Sequence, residues 1–250
     1  MKVTIITATY NAADHLEDCI NSIIRQDHKD IEHIIIDGKS TDSTMEIVEK
    51  YRTHISKSIT ETDRGMYDAI NKGMRMATGD IIGILNSDDM LVSPDVISEI
   101  VSVFEKEGVD AVYGDLEYVD RNDSSHVLRI WKGKPYKRSL FRKGWMPAHP
   151  TFYFKRALLE KYGGYETHYF SAADYEFMAR YLFYFKASAC YLPKLIVMMR
   201  AGGQSNGNIK QRLRANRRDY LAMKKNKIPF AFIVSIMKPL GKLHQYTKYK

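Results

Sequence analysis

The first 115 or so positions carry two alternating apolar patterns. Runs rich in β-branched residues at 3–8, 31–36 and 81–85 read as buried strands, and a weaker alternation at 55–60 reads as another. Between them the apolar residues fall at helical spacing. One set is Leu16, Cys19, Ile20, Ile23 and Ile24, behind a loop in which Asn11 or Asp14 can cap the helix. The next sets are Met45, Ile47, Val48 and Tyr51, then Ile70, Met74 and Ala77 on 67–77 with Gly79 as the stop. A fourth is Val96, Ile97, Ile100, Val101 and Phe104, opened by Ser93-Pro94-Asp95 and closed by Gly108. Strands alternating with helices imply parallel βαβ units, so this stretch predicts a doubly wound α/β half.

The pattern then becomes mixed. Residues 111–119 and 127–131, joined through Arg121-Asn122-Asp123-Ser124, predict an antiparallel hairpin. Short strands are expected at 151–154, 189–192 and 196–199, and helices at 156–162, ended by Gly163-Gly164, and at 174–184. Residues 208–226 read as a helix with a basic stripe of Lys210, Arg214, Arg217, Arg218 and Lys225. The apolar run 228–237 is broken by Pro229 and stopped by Pro239; too short to span a bilayer, it suits lying at an interface.

Composition narrows the class. Hydrophobic and charged fractions of 44% and 27% exclude a disordered chain, and no run approaches the ~20 apolar residues of a membrane span. The amino terminus reads as a first strand, being too short for a signal-peptide core. Cys19 and Cys190, far apart in apolar segments, suggest buried free thiols in a reducing compartment, with the cytoplasm as the default. The net charge of +8 implies an anionic partner, and it is concentrated late: from Lys194 onward Asp219 is the single acidic residue.

The acids tell a different story. Thr7, Thr9, Tyr10 and Asn11 end the first strand, Asp37 the second, Asp63-Arg64-Gly65 follows the third, and Asp88-Asp89 follows 81–85. Four successive strands delivering polar groups to one edge predict a ligand cleft. Tyr10 can stack a base, Asp37 and Asp63 can accept from base or ribose, and Arg64 can pair a phosphate. Asp88-Asp89, a pair that repels at a strand end unless something cationic is there, can hold a hard divalent ion such as Mn²⁺ or Mg²⁺. Together they describe a nucleoside-diphosphate ligand with metal. No Walker sequence and no G-x-G-x-x-G follows the first strand, which weakens P-loop and Rossmann dinucleotide readings.

These residues carry a resemblance. Residues 3–11, Ile34-Ile35-Ile36-Asp37-Gly38-Lys39-Ser40-Thr41-Asp42 and 63–89 resemble family 2 glycosyltransferases of the GT-A fold. Asp63-Arg64-Gly65-Met66-Tyr67-Asp68-Ala69-Ile70-Asn71-Lys72-Gly73 and Asn86-Ser87-Asp88-Asp89 are similar to the bacterial surface-polysaccharide, colanic-acid-type branch. The resemblance covers roughly the first 200 residues. It implies an α/β fold with a Rossmann-like nucleotide-binding half, a mixed central sheet and C-terminal helices. The domain expected over 1–207 divides into a nucleotide-sugar half (1–115) and an acceptor half (116–207), with a basic helical extension at 208–250. The implied reaction is an inverting transfer from a nucleoside-diphosphate sugar, UDP being the usual carrier, to a glycan or lipid-linked acceptor. It would take place at the inner face of the cytoplasmic membrane, reached through the C-terminal segment.

By the same resemblance Asp89 matches the metal-binding acid and Asp88 a ribose or sugar contact. The family's Asp-x-Asp motif has Ser87 at its first position here. Ala172-Ala173-Asp174-Tyr175-Glu176 resembles the catalytic segment, making Asp174 the expected base. His149, Glu176 and Ser205 match stretches near acceptor or diphosphate, while Trp131, Trp145 and Tyr169 are aromatics that can stack on sugars or fill the core. A sugar nucleotidyltransferase would show a glycine-rich loop where Tyr10-Asn11-Ala12-Ala13 stands. A nucleic-acid binder would not line a sheet edge with acids.

Overall fold

The structure is a computed structural model that describes residues 1–202 and 209–240, the side chains of 209–212 and 239–240 excepted. The expected site residue Ser205 and the stretch 241–250 lie outside the described residues.

The predicted alternation is formed. β1 (Val3–Thr9), β2 (Ile31–Asp37), β3 (Lys57–Thr60) and β4 (Ile81–Ile84) are separated by α1 (Leu16–Ile24), α2 (Thr44–Lys50) and α3 (Met66–Met76). These four strands lie side by side in the order β3-β2-β1-β4, all parallel. The remaining strands, β5 (Met90–Leu91), β6 (Ala111–Val119), β7 (Val127–Trp131), β8 (Tyr153–Lys155) and β9 (Ala189–Arg200), extend it as a mixed sheet in the order β4-β8-β6-β9-β5, with β7 beside β6. β8 runs antiparallel between β4 and β6, β9 is parallel to β6 and antiparallel to β5, and β7 forms the expected hairpin with β6. The sheet curls, so residues 85–89 alone carry the chain from β4 to β5 at the opposite end of the strand order. α4 (Val96–Glu107), α5 (Arg156–Tyr162), α6 (Ala173–Met178), α7 (Ile209–Lys225) and α8 (Ala231–Leu240) complete the described elements.

Alternate residues of the parallel strands feed two cores. Ile6, Ile34, Ile36, Ile82 and Ile84 pack with Ile70 and Met74 of α3, while Val3, Ile5 and Ile81 pack with Cys19 of α1 and Ile97 and Ile100 of α4. Both faces of the parallel region are thereby covered, which is why its strands are so uniformly apolar. The C-terminal helices share the first core through Ala222, Met223, Ile228 and Val234.

Several local expectations are corrected. Neither Asn11 nor Asp14 caps α1, whose N-cap is His15, and Ser93 donates to Asp95 Oδ1 (2.5 Å) instead of capping α4. The strands expected at 189–192 and 196–199 are one strand, because Pro193 falls where the β6–β9 register shifts and no ladder N–H is needed. Gly114 makes room there, since a Cβ would stand 2.8 Å from the Lys194 carbonyl oxygen. The helix expected at 174–184 is preceded by a 3₁₀ turn (Thr167–Ala172) and changes after α6 to a π-helical turn (Ala179–Tyr184). Pro239 does not stop α8, which runs to Leu240. Cys190 is only partly buried, and Lys225 is drawn out of the basic stripe into ion pairs with Glu166 and Glu176.

Candidate active site

At the end of β1 the two threonines are placed differently from the tyrosine. Thr7 is fully buried, its hydroxyl shared with His33 Nε2 (3.1 Å) and near Cys19 Sγ (3.9 Å), so it serves the core. Thr9 Oγ1 is buried with no protein partner, while Tyr10 is 64% exposed. Asn11 takes a left-handed backbone (φ 48°) and clasps the next strand's loop. Its N–H donates to Ser40 Oγ (2.8 Å) and its Oδ1 accepts from Thr41 N–H (2.9 Å). Asp37, fully buried, accepts from the Ser40 hydroxyl (2.5 Å) and N–H. It therefore shapes the 37–40 turn with the same oxygens expected to meet a ligand.

Gly38 brings two site residues together. Its N–H donates to the Thr9 carbonyl (2.9 Å), and a Cβ there would stand 2.6 Å from Asp63 Oδ2 and 3.4 Å from Tyr10 Cδ2. Tyr10, Gly38 and Asp63 thus form one wall: an exposed ring beside a carboxylate, with bare backbone between. Asp63 Oδ1 accepts from Gly65 N–H (2.7 Å), which opens α3 with φ 112°. Arg64 leaves this wall for solvent, its side chain 88% exposed and 3.9 Å from Asp68.

The carboxylate turn after β4 is held from several sides. Asp89 has no exposed surface; Oδ2 accepts from Asn86 Nδ2 (2.7 Å) and Oδ1 from the backbone N–H of Arg200 (3.3 Å). Burial and the neighbouring Asp88 push its carboxyl well above the usual range. Asp88 is partly exposed and lies 3.8 Å from Arg121 Nη1. Arg200, almost wholly buried, spreads its guanidinium between the Asp88 carbonyl (3.0 Å) and Asp18 Oδ2 of α1 (2.6 Å), with Nε unpartnered. No three His, Cys, Asp or Glu side chains among the described residues gather as a metal site. A divalent ion nevertheless fits this turn: two adjacent carboxylates, one held high in pKa by burial and like charge, are relieved by added positive charge.

Asp174 stands at the start of α6 with its Oδ1 on Tyr175 N–H (2.6 Å). Around it three rings converge: Tyr165 on Tyr67 (5.0 Å between centroids), His149 edge-on to Tyr165 (5.6 Å), and Tyr67 near His149 (6.3 Å). His149 Nε2 and the Tyr165 hydroxyl are 2.6 Å apart. Burial pushes both tyrosine phenols well up, with the Asp174 carboxylate adding to the shift, and burial lowers the imidazole against a smaller upward pull from the same carboxylate. His149 consequently stays below its ordinary value and neutral at pH 7. Tyr67 and Asn71 belong to α3, the helix opened by Asp63 and Arg64, so one helix spans both parts of the site.

Glu176 is committed to the interior. Fully buried, it pairs Arg180 (3.0 Å), Lys225 (3.1 Å) and Asn226 (3.3 Å). Arg180 in turn binds the carbonyls of Tyr162, Gly163 and Gly164, fixing the turn that presents Tyr165. Tyr169 is buried against the same elements. Sequence reasoning passed over Arg200, Arg121, Tyr165 and the specific use of Gly38. Arg200 gave one signal, a lone cation ahead of Ala201-Gly202, which repeats nowhere near the acids it serves.

Known proteins resemble this chain in sequence and fold. A PGL/p-HBAD biosynthesis glycosyltransferase of Mycobacterium tuberculosis is 32% identical over 182 residues, 71% of this chain and 68% of that protein. An uncharacterized glycosyltransferase of Nostoc is 34% identical over 128 residues, 50% of this chain and 39% of that protein. Among solved structures, Staphylococcus aureus TarS in complex with UDP superposes with a TM-score of 0.67 at 20% identity, over 90% of this chain and 65% of that one. The mannosyltransferase PcManGT of Pyrobaculum calidifontis, in complex with GDP-Man and Mn²⁺, has a TM-score of 0.67 at 25% identity over 98% of this chain and 70% of that one. The curled mixed sheet with flanking helices is thus the GT-A fold. Residues 4–163, more than half of the chain, match the family described as Glycosyl transferase family 2, and the chain belongs to that family.

Proposed function

We propose that this glycosyltransferase moves a sugar from a nucleoside-diphosphate donor, with UDP as the expected carrier, to a hydroxyl of a glycan acceptor with inversion. The acceptor we propose is lipid-linked, in surface-polysaccharide synthesis at the inner face of the cytoplasmic membrane. The observation that carries the reading is the convergence of Tyr67, His149 and Tyr165 around Asp174 on the helix that Asp63 and Arg64 open. The complexes of TarS with UDP-GlcNAc and of PcManGT with GDP-Man and Mn²⁺ support a nucleotide-sugar donor and a divalent cation.

In this reading Tyr10 stacks the base beside the bare Gly38 backbone, and Asp63 accepts from base or ribose. Asp88 and Asp89 would hold the cation, which would supply positive charge where the diphosphate departs. Arg64, free in solvent, turns inward to pair a phosphate. Asp174 takes the proton of the acceptor hydroxyl as that oxygen bonds to the anomeric carbon and the bond to the diphosphate breaks. The neutral imidazole of His149 and the two phenols keep one side of the carboxylate packed against protein, which orients it.

The discriminating experiment pairs two variants. Asp174→Asn is expected to abolish transfer, by more than about a hundredfold, while donor affinity stays near wild type. Asp89→Ala is expected to weaken cation-dependent nucleotide binding instead. Full turnover by Asp174→Asn would remove Asp174 from the mechanism.

A further inference from the structure

A second concavity lies outside the strand-end cleft. It is an open cavity of about 490 Å³ between the Thr167–Ala172 turn and α7, lined by His168, Tyr169, Arg218, Leu221, Lys224 and Lys225. Its charges are unevenly compensated. Lys225 is bound by Glu166 and Glu176, and His168 Nε2 lies 3.6 Å from Glu166. Arg218 lies over the Phe170 ring (4.3 Å) and, like Lys224, pairs with no carboxylate among the described residues. Two cations therefore face a concave surface with no anion assigned to them.

The rim of this cavity is apolar and wet. Leu221 in the wall is 43% exposed, and Phe170 at the edge is 57% exposed with a strained backbone (φ 48°, ψ −119°). Tyr220, next to Leu221, packs edge-on against Phe232 of α8. From there exposed apolar side chains continue along α8 as Phe232, Ile233, Ile236 and Met237, with Phe230 just before it. A cationic hollow bordered by a run of exposed hydrocarbon is complementary to an anion that carries an apolar chain. The turn that forms one wall ends two residues before Asp174 in the chain.

We propose that this cavity seats the phosphate or diphosphate head of a lipid-linked acceptor, on Arg218 and Lys224, with its hydrocarbon chain over Leu221 and the exposed face of α8. The proposal rests on the glycosyltransferase reading above and deepens its acceptor side. It places the lipid phosphate beside the turn leading to Asp174, so that the sugar or hydroxyl it carries is presented to that carboxylate.

The test uses the full chain and neutral phosphatidylcholine vesicles doped either with a polyprenyl monophosphate or with phosphatidylglycerol at matched surface charge. The wild type is expected to prefer the polyprenyl phosphate vesicles. Arg218→Gln/Lys224→Gln is expected to lose that preference by about tenfold, from two cations near an anionic head. Lys29→Gln/Lys106→Gln, which removes the same charge from exposed sites elsewhere, is expected to keep it. Should the cavity double variant unfold, Lys224→Gln alone is expected to lose about threefold. Equal loss in cavity and control variants, or no preference in the wild type, overturns the proposal. Donor binding, followed separately by thermal shift with UDP-sugars, distinguishes the two failures: its absence in the wild type sinks the glycosyltransferase reading whatever the vesicles do.

Discussion

Gly38 lies between Tyr10 and Asp63, and its missing side chain is what lets the two share a wall. In Gly38→Ala the new methyl would meet Asp63 Oδ2 at 2.6 Å, a contact that must be relieved by moving the carboxylate. Donor affinity is expected to fall about tenfold while stability changes by about 1 kcal/mol or less, because an exposed-edge carboxylate swings aside cheaply. Unchanged affinity in a nucleotide titration would show that Asp63 does not touch the donor. His33 reports on the opposite face of the same strands. Burial pushes its imidazole down to about 4 from 6.5, so the unfolded chain binds the proton first. Stability is therefore intact above about pH 6.5 and lost as pH falls toward 4, by up to about 3 kcal/mol. His33→Gln is expected to flatten that part of the acid limb in denaturation measured at a series of pH values. The strand-end positions of Tyr10, Asp63, Asp88 and Asp89 were legible in the sequence because each follows a strand that announces itself. Thr7 was not, since its period-2 position on β1 puts it in the core, a choice of face that adjacent polar residues do not reveal.

Asn71 shows how one helix ties the two parts of the site together. Its Nδ2 donates to the Tyr165 carbonyl and its Oδ1 accepts from the Tyr165 N–H, both at 2.8 Å, across 94 positions of sequence. Asn71→Ala would strand both backbone groups and is expected to cost about 2 kcal/mol, measured by denaturant unfolding. Its kcat should drop more than its donor affinity, because Tyr165 and His149 lie beside Asp174 and not beside the nucleotide wall. A variant with wild-type kcat would mean that Tyr165 only fills space. At this scale most strands and helices were readable from their apolar spacing. The exceptions have physical causes: Pro193 marked a break that a register shift absorbs, and the 167–184 segment changes its helical pitch twice, which no single periodicity describes.

Across the whole molecule the C-terminal helices play two parts. Ala222, Met223, Ile228 and Val234 are buried in the core they share with Tyr175 and Phe141, while Phe230 and Phe232 are 78% and 66% exposed. Deleting the chain from 209 onward is therefore expected to destabilise the fold by several kcal/mol, on the order of 1.5–3 for each large apolar side chain uncovered. It would not test membrane binding cleanly. Phe230→Ser/Phe232→Ser is the better probe of the proposed interface: unfolding should shift by no more than about 0.5 kcal/mol while anionic-vesicle binding weakens severalfold. Retained binding would remove α8 from the interface. No helix among the described residues is long and apolar enough to cross a membrane. The other long-range feature is β9, whose last residue reaches back 111 positions to Asp89 and 182 to Asp18. The acidic turn therefore cannot be completed before the chain as far as Arg200 has been synthesised and β9 has docked. A nascent or clipped amino-terminal half would carry the acids without the Arg200 clasp that holds Asp89 and Asp18.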